Sequence, residues 1–243
     1  MSDQGVISTA ELQVRKPGKD KPELHGFGEV RPEELFAAAP WRTFRWHLGQ
    51  AHYSGTYWSA TEASHVIYES RLELSRVLYA DFDPRCTRII AQPFHMTAHV
   101  DGAKRRHIPD YLLLTESGPM VVDVKPAHKL SDDKVAFSFA WSRIVIESRG
   151  WRYEVWSEPP VAQLENIRFL AGYRRGWLFD PEILAALDRA DLHRVTLAEA
   201  FASAPQFDAR LVRASVFHQL WTGRLATDLD RPLGSEHVLR RVP

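Results

Sequence analysis

The stretch YLLLTESGPMVVDVK, Tyr111 to Lys125, constrains the fold more than any other part of the chain. Its two runs, YLLLT and MVVDV, are apolar at consecutive positions, whereas a strand with one wet face alternates apolar with polar. Both therefore predict central strands covered on both faces and joined by a turn at ESGP. The flanking segments supply the covering layers. Val66, Ile67, Ser70, Leu74, Val77 and Leu78 recur at the helical period and predict a helix over 64–80. On that helix Glu73 falls at the edge of the apolar stripe, half-buried beside Ser70 and Val77, and Glu69 falls further toward solvent. CTRIIAQPFHMTAHV, 86–100, predicts a strand pair or one long strand bent at Pro93, and KRRH, 104–107, a basic turn. Ser131, with Asp132 and Asp133 in the first turn, caps a helix that runs to Arg149-Gly150. WRYEVWS alternates as a strand from Trp151, and VAQLENIRFLAGYRR follows two prolines as a second helix. This order predicts a three-layer α/β core with a mixed central sheet over residues 26–175.

Outside that core the chain changes character. Residues 1–25 are polar and punctuated by proline, which predicts a loose tail. Residues 26–63 carry Trp41, Trp46, Tyr53, Tyr57 and Trp58, too much aromatic surface to leave in water, and predict an irregular or strand-like cover. Residues 176–243 read as a separate domain. PEILAALDRA is a short helix, Thr196 and Glu199 form a capping box opening a second, and DARLVRASVFHQLWTGR is a third, stopped at Gly223. RLATDLDRPLG can fold back as a β-wing, so the expectation is a C-terminal winged helix-turn-helix. Its candidate DNA contacts are Arg210, Arg213 and His218 on the third helix, and Arg224 and Arg231 along the wing. Acids nearly balance arginines in this region, which leaves docking onto a protein equally open. Phe217, Leu220 and Trp221 recur at helical spacing and belong to the core.

Composition excludes several classes. The formal net charge is zero, so attraction for nucleic acid must come from local patches. Every lysine lies at or before Lys134, so the basic side chains beyond it are arginines, which fork onto phosphates; high-GC codon usage explains the same bias. A single cysteine, Cys86, rules out an internal disulfide framework and a multi-thiolate metal site. Met1 to Lys21 is polar and no apolar run is long enough to span a bilayer, which predicts a soluble cytoplasmic chain. There is no G-x-S-x-G elbow, phosphate-binding P-loop or H-E-x-x-H zinc motif.

The charges at the ends of the two central runs remain to be explained. If Thr115 faces Met120, an antiparallel ladder sets Leu112 against Asp123 and Asp110 against Lys125. Asp110, Asp123 and Lys125 then share one face, because side chains alternate with a period of two. Directly opposed Cβ atoms lie about 5 Å apart and diagonal ones about 7 Å, so the two acids, diagonal in this register, can both reach one hard cation. A divalent ion would relieve their repulsion, Glu73 would add a third carboxylate, and Lys125 could hold a water and offset charge on a phosphoryl oxygen. The plainer alternative is a structural ion pair between Asp110 and Lys125.

The string Pro109-Asp110, a strand turn, then Asp123-Val124-Lys125 resembles the PD-(D/E)xK nuclease signature, and the element order resembles the restriction-endonuclease-like core. SRLELSRVLYADFDP, IIAQPF, HIPDYLLL, VVDVKPA and ENIRFL stand in the order seen in TnsA-type transposon endonucleases, over roughly 64–175. The resemblance implies that Glu73 is the family's helix acid, Asp110 its first strand acid and Lys125 its lysine. The residue two before the lysine is glutamine in the best-known members, whereas here it is Asp123. The activity implied is Mg²⁺-dependent hydrolysis, with Mn²⁺ able to substitute, of phosphodiester bonds at the 5′ ends of a transposon. The implied partners are double-stranded DNA, a DDE-type transposase and an ATPase regulator. A restriction or phage-defence nuclease of the same fold, and a non-catalytic DNA-binding or assembly module, are the alternatives. Around the motif, Lys104, Arg105 and Arg106 are the candidate phosphate patch, Gln92 a DNA contact, a residue that orients Glu73 or a backbone cap, and His107 a phosphate contact or a solvated turn histidine.

Overall fold

The structure is a computed structural model that describes residues 3–42 and 53–242; Trp46 lies outside them. The chain divides into two compact units, residues 1–80 with 85–158, and residues 81–84 with 159–243. The first unit therefore closes at 158, before the helix VAQLENIRFL that the sequence reading placed in the same core.

Four strands form the sheet on which the first unit is built: β5 (Cys86–Ala91), β8 (Tyr111–Thr115), β9 (Gly118–Val124) and β10 (Arg152–Trp156), in the order β10-β9-β8-β5. β5, β8 and β9 are antiparallel in turn, whereas β10 runs parallel to β9, so the sheet is mixed. The parallel pair needs a crossover, which α3 (Asp133–Glu147) supplies. Asp132 rather than Ser131 caps it, accepting from the N–H groups of Lys134 and Val135.

Both faces of the sheet are covered, as the two apolar runs require. On one face Ile90, Leu112, Val121 and Tyr153 join Trp141, Val145 and Ile146 of α3 in a continuous core. That core extends into a second sheet of β1 (Glu11–Val14), β2 (Glu23–Gly26), β6 (His95–Val100) and β7 (Ala103–His107), ordered β2-β1-β6-β7. The opposite face meets α2 (Arg71–Phe82), where Arg76 reaches Glu154 and Tyr79 packs edge-on against Trp156.

Three expectations change here. Of the expected loose tail 1–25, the described residues 3–25 are ordered into the fold: β1 pairs with β2 and β6, and Leu12 and Val14 are fully buried, so burial outweighs a polar composition. The helix expected from residue 64 begins at Arg71, because Ser64–Tyr68 is a strand, β4, paired with β3 (Gly55–Ser59). Val66 and Tyr68 are buried at a period of two, and the stripe that includes Val66 fits either period. KRRH is a strand rather than a turn, with Lys104, Arg105 and Arg106 paired against His99, Ala98 and Thr97. The aromatic cover is as expected for Tyr57, which is buried, whereas Tyr53 is exposed beneath the Arg71 guanidinium.

The second unit contains α4 (Val161–Leu170), α5 (Pro181–Arg189), α6 (Leu197–Phe201), α7 (Ala209–Trp221) and a short ribbon of β11 (Leu225–Ala226) with β12 (Arg240–Arg241). The Thr196–Glu199 capping box opens α6 as expected, and Gly223 ends α7 with φ of +72°. Phe217, Leu220 and Trp221 are buried. Among the described residues no helix is long and apolar enough to cross a membrane.

Candidate active site

The hairpin between β8 and β9 sets the geometry. Its turn is tighter than ESGP suggested: Thr115 pairs with Gly118, whose φ of +93° suits glycine, and only Glu116 and Ser117 lie between. The ladder is shifted by two residues from the expected register, so Leu112 faces Val121 and Tyr111 faces Val122. A shift of two preserves parity. Asp110, just before β8, and Asp123 therefore lie on the same face, and Asp110 comes opposite Asp123 rather than Lys125 when the ladder is extended. An Asp110 oxygen accepts from the N–H of Val124 at 2.7 Å, which locks the two strand ends together.

These residues border a cavity of about 540 Å³. Its lining combines the acids Asp110, Asp123, Glu73 and Glu69 with Arg42, Arg106, Lys125 and Lys134 and the imidazoles of His95 and His107. Lys125 is half-buried, and among the described residues its ammonium group makes no hydrogen bond or ion pair. The alternative of a structural Asp110–Lys125 pair is not what these side chains form. Burial, then the charges of Asp123 and Glu73, raise the Asp110 carboxyl well above the usual carboxylate range; Lys125 opposes this only weakly.

The carboxylates are, however, already engaged. Glu73 sits in the first turn of α2, where one oxygen accepts from the N–H of Glu69 at 2.8 Å and the other from the Ser70 hydroxyl at 3.0 Å. Ser70 in turn accepts from the N–H of Glu73, so the acid is part of its own helix cap. Burial raises its pKa. Asp123 is 2% exposed; its oxygens lie 2.9 and 2.8 Å from His107 Nε2, and Tyr153 donates its hydroxyl to Oδ2. Burial, then the charge of Asp123, pushes the Tyr153 phenol far up, so it stays a donor. Accordingly, among the described residues no three His, Cys, Asp or Glu side chains are grouped to hold a metal ion. The shared shell of Glu73, Asp110 and Asp123 expected from spacing is not assembled in this arrangement.

The donor set still fits a hard divalent cation in its chemistry. Its groups are carboxylate oxygens lining one cavity, and the repulsion that raises Asp110 is what a cation would relieve.

Other sequence candidates fall in different places. Gln92 is 5% exposed, and its amide accepts from the N–H of Arg42 and donates to Glu69; it is a brace behind the cavity rather than a surface for DNA. Lys104 and Arg106 are exposed, Lys104 lies 3.5 Å from Glu11, and Arg105 stacks over Phe137. His107 is no solvated turn residue, because it ends β7 and points at Asp123. In the second unit His218 is buried, bonded through Nδ1 to the Tyr173 carbonyl and stacked on Phe179, which removes it from any DNA-facing surface. Arg224 pairs with Asp188 and Arg231 with Asp228, Arg213 lies over Phe201 and Phe217, and Arg210 is exposed.

Sequence reasoning missed Tyr153, His95, Lys134 and the role of His107. Tyr153 was readable in principle, since WRYEVW places it on the inward parity with Trp151 and Val155. No local signal ties His107 to Asp123, because the two lie on strands of different sheets.

A mixed sheet covered on both faces, with acids and a lysine at one end of its central hairpin, fits a nuclease-like α/β core. Residues 83–158 match the family model described as TnsA-like endonuclease N terminal. The matched segment runs from β5 through β10 and holds Asp110, Asp123 and Lys125. The chain is thereby similar to TnsA-like nucleases, and the PD-(D/E)xK superfamily is consistent with that likeness. No curated protein matches the chain.

Proposed function

We propose that this chain is the metal-dependent DNA endonuclease subunit of a two-component transposase, hydrolysing phosphodiester bonds at the 5′ ends of a transposon. The observation that supports this best is the convergence of Asp110, Asp123, Glu73 and Lys125 on one cavity within and beside the matched segment. Asp110, Asp123 and Glu73 would hold Mg²⁺ or Mn²⁺. When bound, such an ion supplies Lewis-acid activation of the scissile phosphate and a more acidic water. Lys125 orients the attacking water and donates to a phosphoryl oxygen as charge builds there. The water oxygen bonds to phosphorus in line and gives up one proton to solvent, the bond from phosphorus to the 3′ oxygen breaks, and that oxygen takes a proton from solvent, leaving 3′-hydroxyl and 5′-phosphate ends. Arg106 and Lys134, which line the same cavity, neutralise flanking phosphates, whereas Arg42 there is paired with Glu69 at 2.6 Å.

The second unit would dock DNA or the DDE-type transposase. We read α5, α6, α7 and the short β11–β12 ribbon as a winged helix-turn-helix, a reading supported by the order of these elements and by the exposure of Arg210 and Arg213 on α7. A non-catalytic assembly module is the second reading, favoured by the engagement of Glu73 and Asp123 in protein hydrogen bonds.

The deciding experiment is cleavage of a supercoiled plasmid carrying a transposon end, with and without an added DDE-type transposase. Wild type should nick in Mg²⁺, with chelator and the Asp110→Ala variant both silent. Equal nicking by Asp110→Ala, or nicking unaffected by chelator, would refute the proposal.

A further inference from the structure

We propose that His107 and Tyr153 are positioning residues for the hydrolytic centre, together holding the Asp123 carboxylate in one orientation on the cavity wall beside Asp110. This inference rests on the nuclease reading above. His107 Nε2 lies 2.9 Å from Oδ1 and 2.8 Å from Oδ2, so a proton carried on that nitrogen bridges both oxygens. The Tyr153 hydroxyl takes a second place on Oδ2. A carboxylate offers about four acceptor directions, so Oδ1 keeps one for a cation.

The two donors arrive from different strands and neither ring can swing easily. His107, at the end of β7, is packed edge-on by Phe139 and Trp141, each with centroids 6.3 Å away. Tyr153 lies on β10, paired with Val121 two residues before Asp123, with Phe139 edge-on at 6.5 Å and the Arg143 guanidinium 4.9 Å above its ring. Two sheets and α3 thus converge on one carboxylate.

A purely structural network does not account for the arrangement. Stability alone often favours apolar replacement of such buried groups, and here the doubly bonded acid lines the same cavity as a second one, Asp110, which is bonded to the N–H of Val124 beside it. Hydrogen-bonded carboxylates beside a metal position are instead the usual way that a ligand is oriented before the ion arrives.

The test uses the full-length chain and Mn²⁺ alone as probe, by titration calorimetry, followed by plasmid nicking. His107→Ala should weaken Mn²⁺ binding and nicking by about ten- to a hundredfold, the usual effect of removing such a partner. His107→Gln, whose amide N–H can reach the same oxygen, should restore most of both. Tyr153→Phe should act in the same direction, and it carries the test should His107→Ala fail to fold. In all folded variants kcat should fall while KM for DNA stays unchanged. Mn²⁺ affinity of Tyr153→Phe and His107→Ala equal to that of a binding-competent wild type would overturn the assignment. A wild type that neither binds Mn²⁺ nor nicks would instead overturn the nuclease reading, and this inference with it.

Discussion

Replacing Asp110 by Asn should stabilise the protein while destroying its proposed activity. In the fold, burial and the charges of Asp123 and Glu73 disfavour the ionised Asp110 carboxylate, so its pKa stands well above the ordinary 3.8. The native state thus holds a proton that the unfolded chain has released, and stability falls as pH rises from about that ordinary value toward the raised one. Asn has no proton to lose. Its side-chain oxygen can still accept from the N–H of Val124, and its amide N–H groups would face carboxylates rather than oppose them. Relieving strain of this kind at a functional site commonly yields about 0.5–2 kcal/mol. At about 2–4 °C per kcal/mol for a chain of 243 residues, the melting temperature at pH 7 should rise by about 1–8 °C in metal-free buffer. Calorimetry from pH 4 to pH 8 is the assay. The gain of Asp110→Asn over wild type should grow with pH through that window and shrink toward its acid end. A variant that is less stable than wild type at pH 7, or a gain independent of pH, would refute the argument that the acids at this cavity repel one another.

Lys125→Ala should abolish plasmid nicking, by about a hundredfold or more, the effect typical of losing one preorganised donor to a transition-state oxygen. Its melting temperature should match wild type, because the ammonium makes no hydrogen bond among the described residues, and a large loss of stability would point to a structural lysine. Arg76→Met cuts the link between α2 and β10, where the guanidinium meets one Glu154 oxygen at 2.9 and 2.7 Å. With Glu154 a third exposed, the loss should be about 2–3 kcal/mol, less than the 3–5 kcal/mol of a fully buried pair, readable in denaturant melts. No change would mean that water satisfies Glu154 unaided.

The central hairpin was legible because consecutive apolar residues on both runs leave a strand no wet face. The face shared by Asp110, Asp123 and Lys125 was equally legible, since parity survives a register error of two. What parity cannot reveal is where a carboxylate turns. Glu73 was correctly placed half-buried, yet the Ser70–Glu73 hydrogen bonds that start the helix at Arg71 were hidden because Ser70 fits a longer helical stripe. Residues 1–25 misled because a short strand such as ELQV needs only Leu12 and Val14 to enter a core. His107 could not be assigned at all, because its contact to Asp123 depends on how two separate sheets meet around α3.

The most direct test of a metal-dependent centre is anomalous diffraction from crystals of the full chain soaked in Mn²⁺. The account predicts a peak in the cavity beside Asp110, bordered by Asp123 and Glu73, that disappears in Asp110→Asn. An empty cavity at saturating Mn²⁺, or a peak that persists unchanged in that variant, would contradict it.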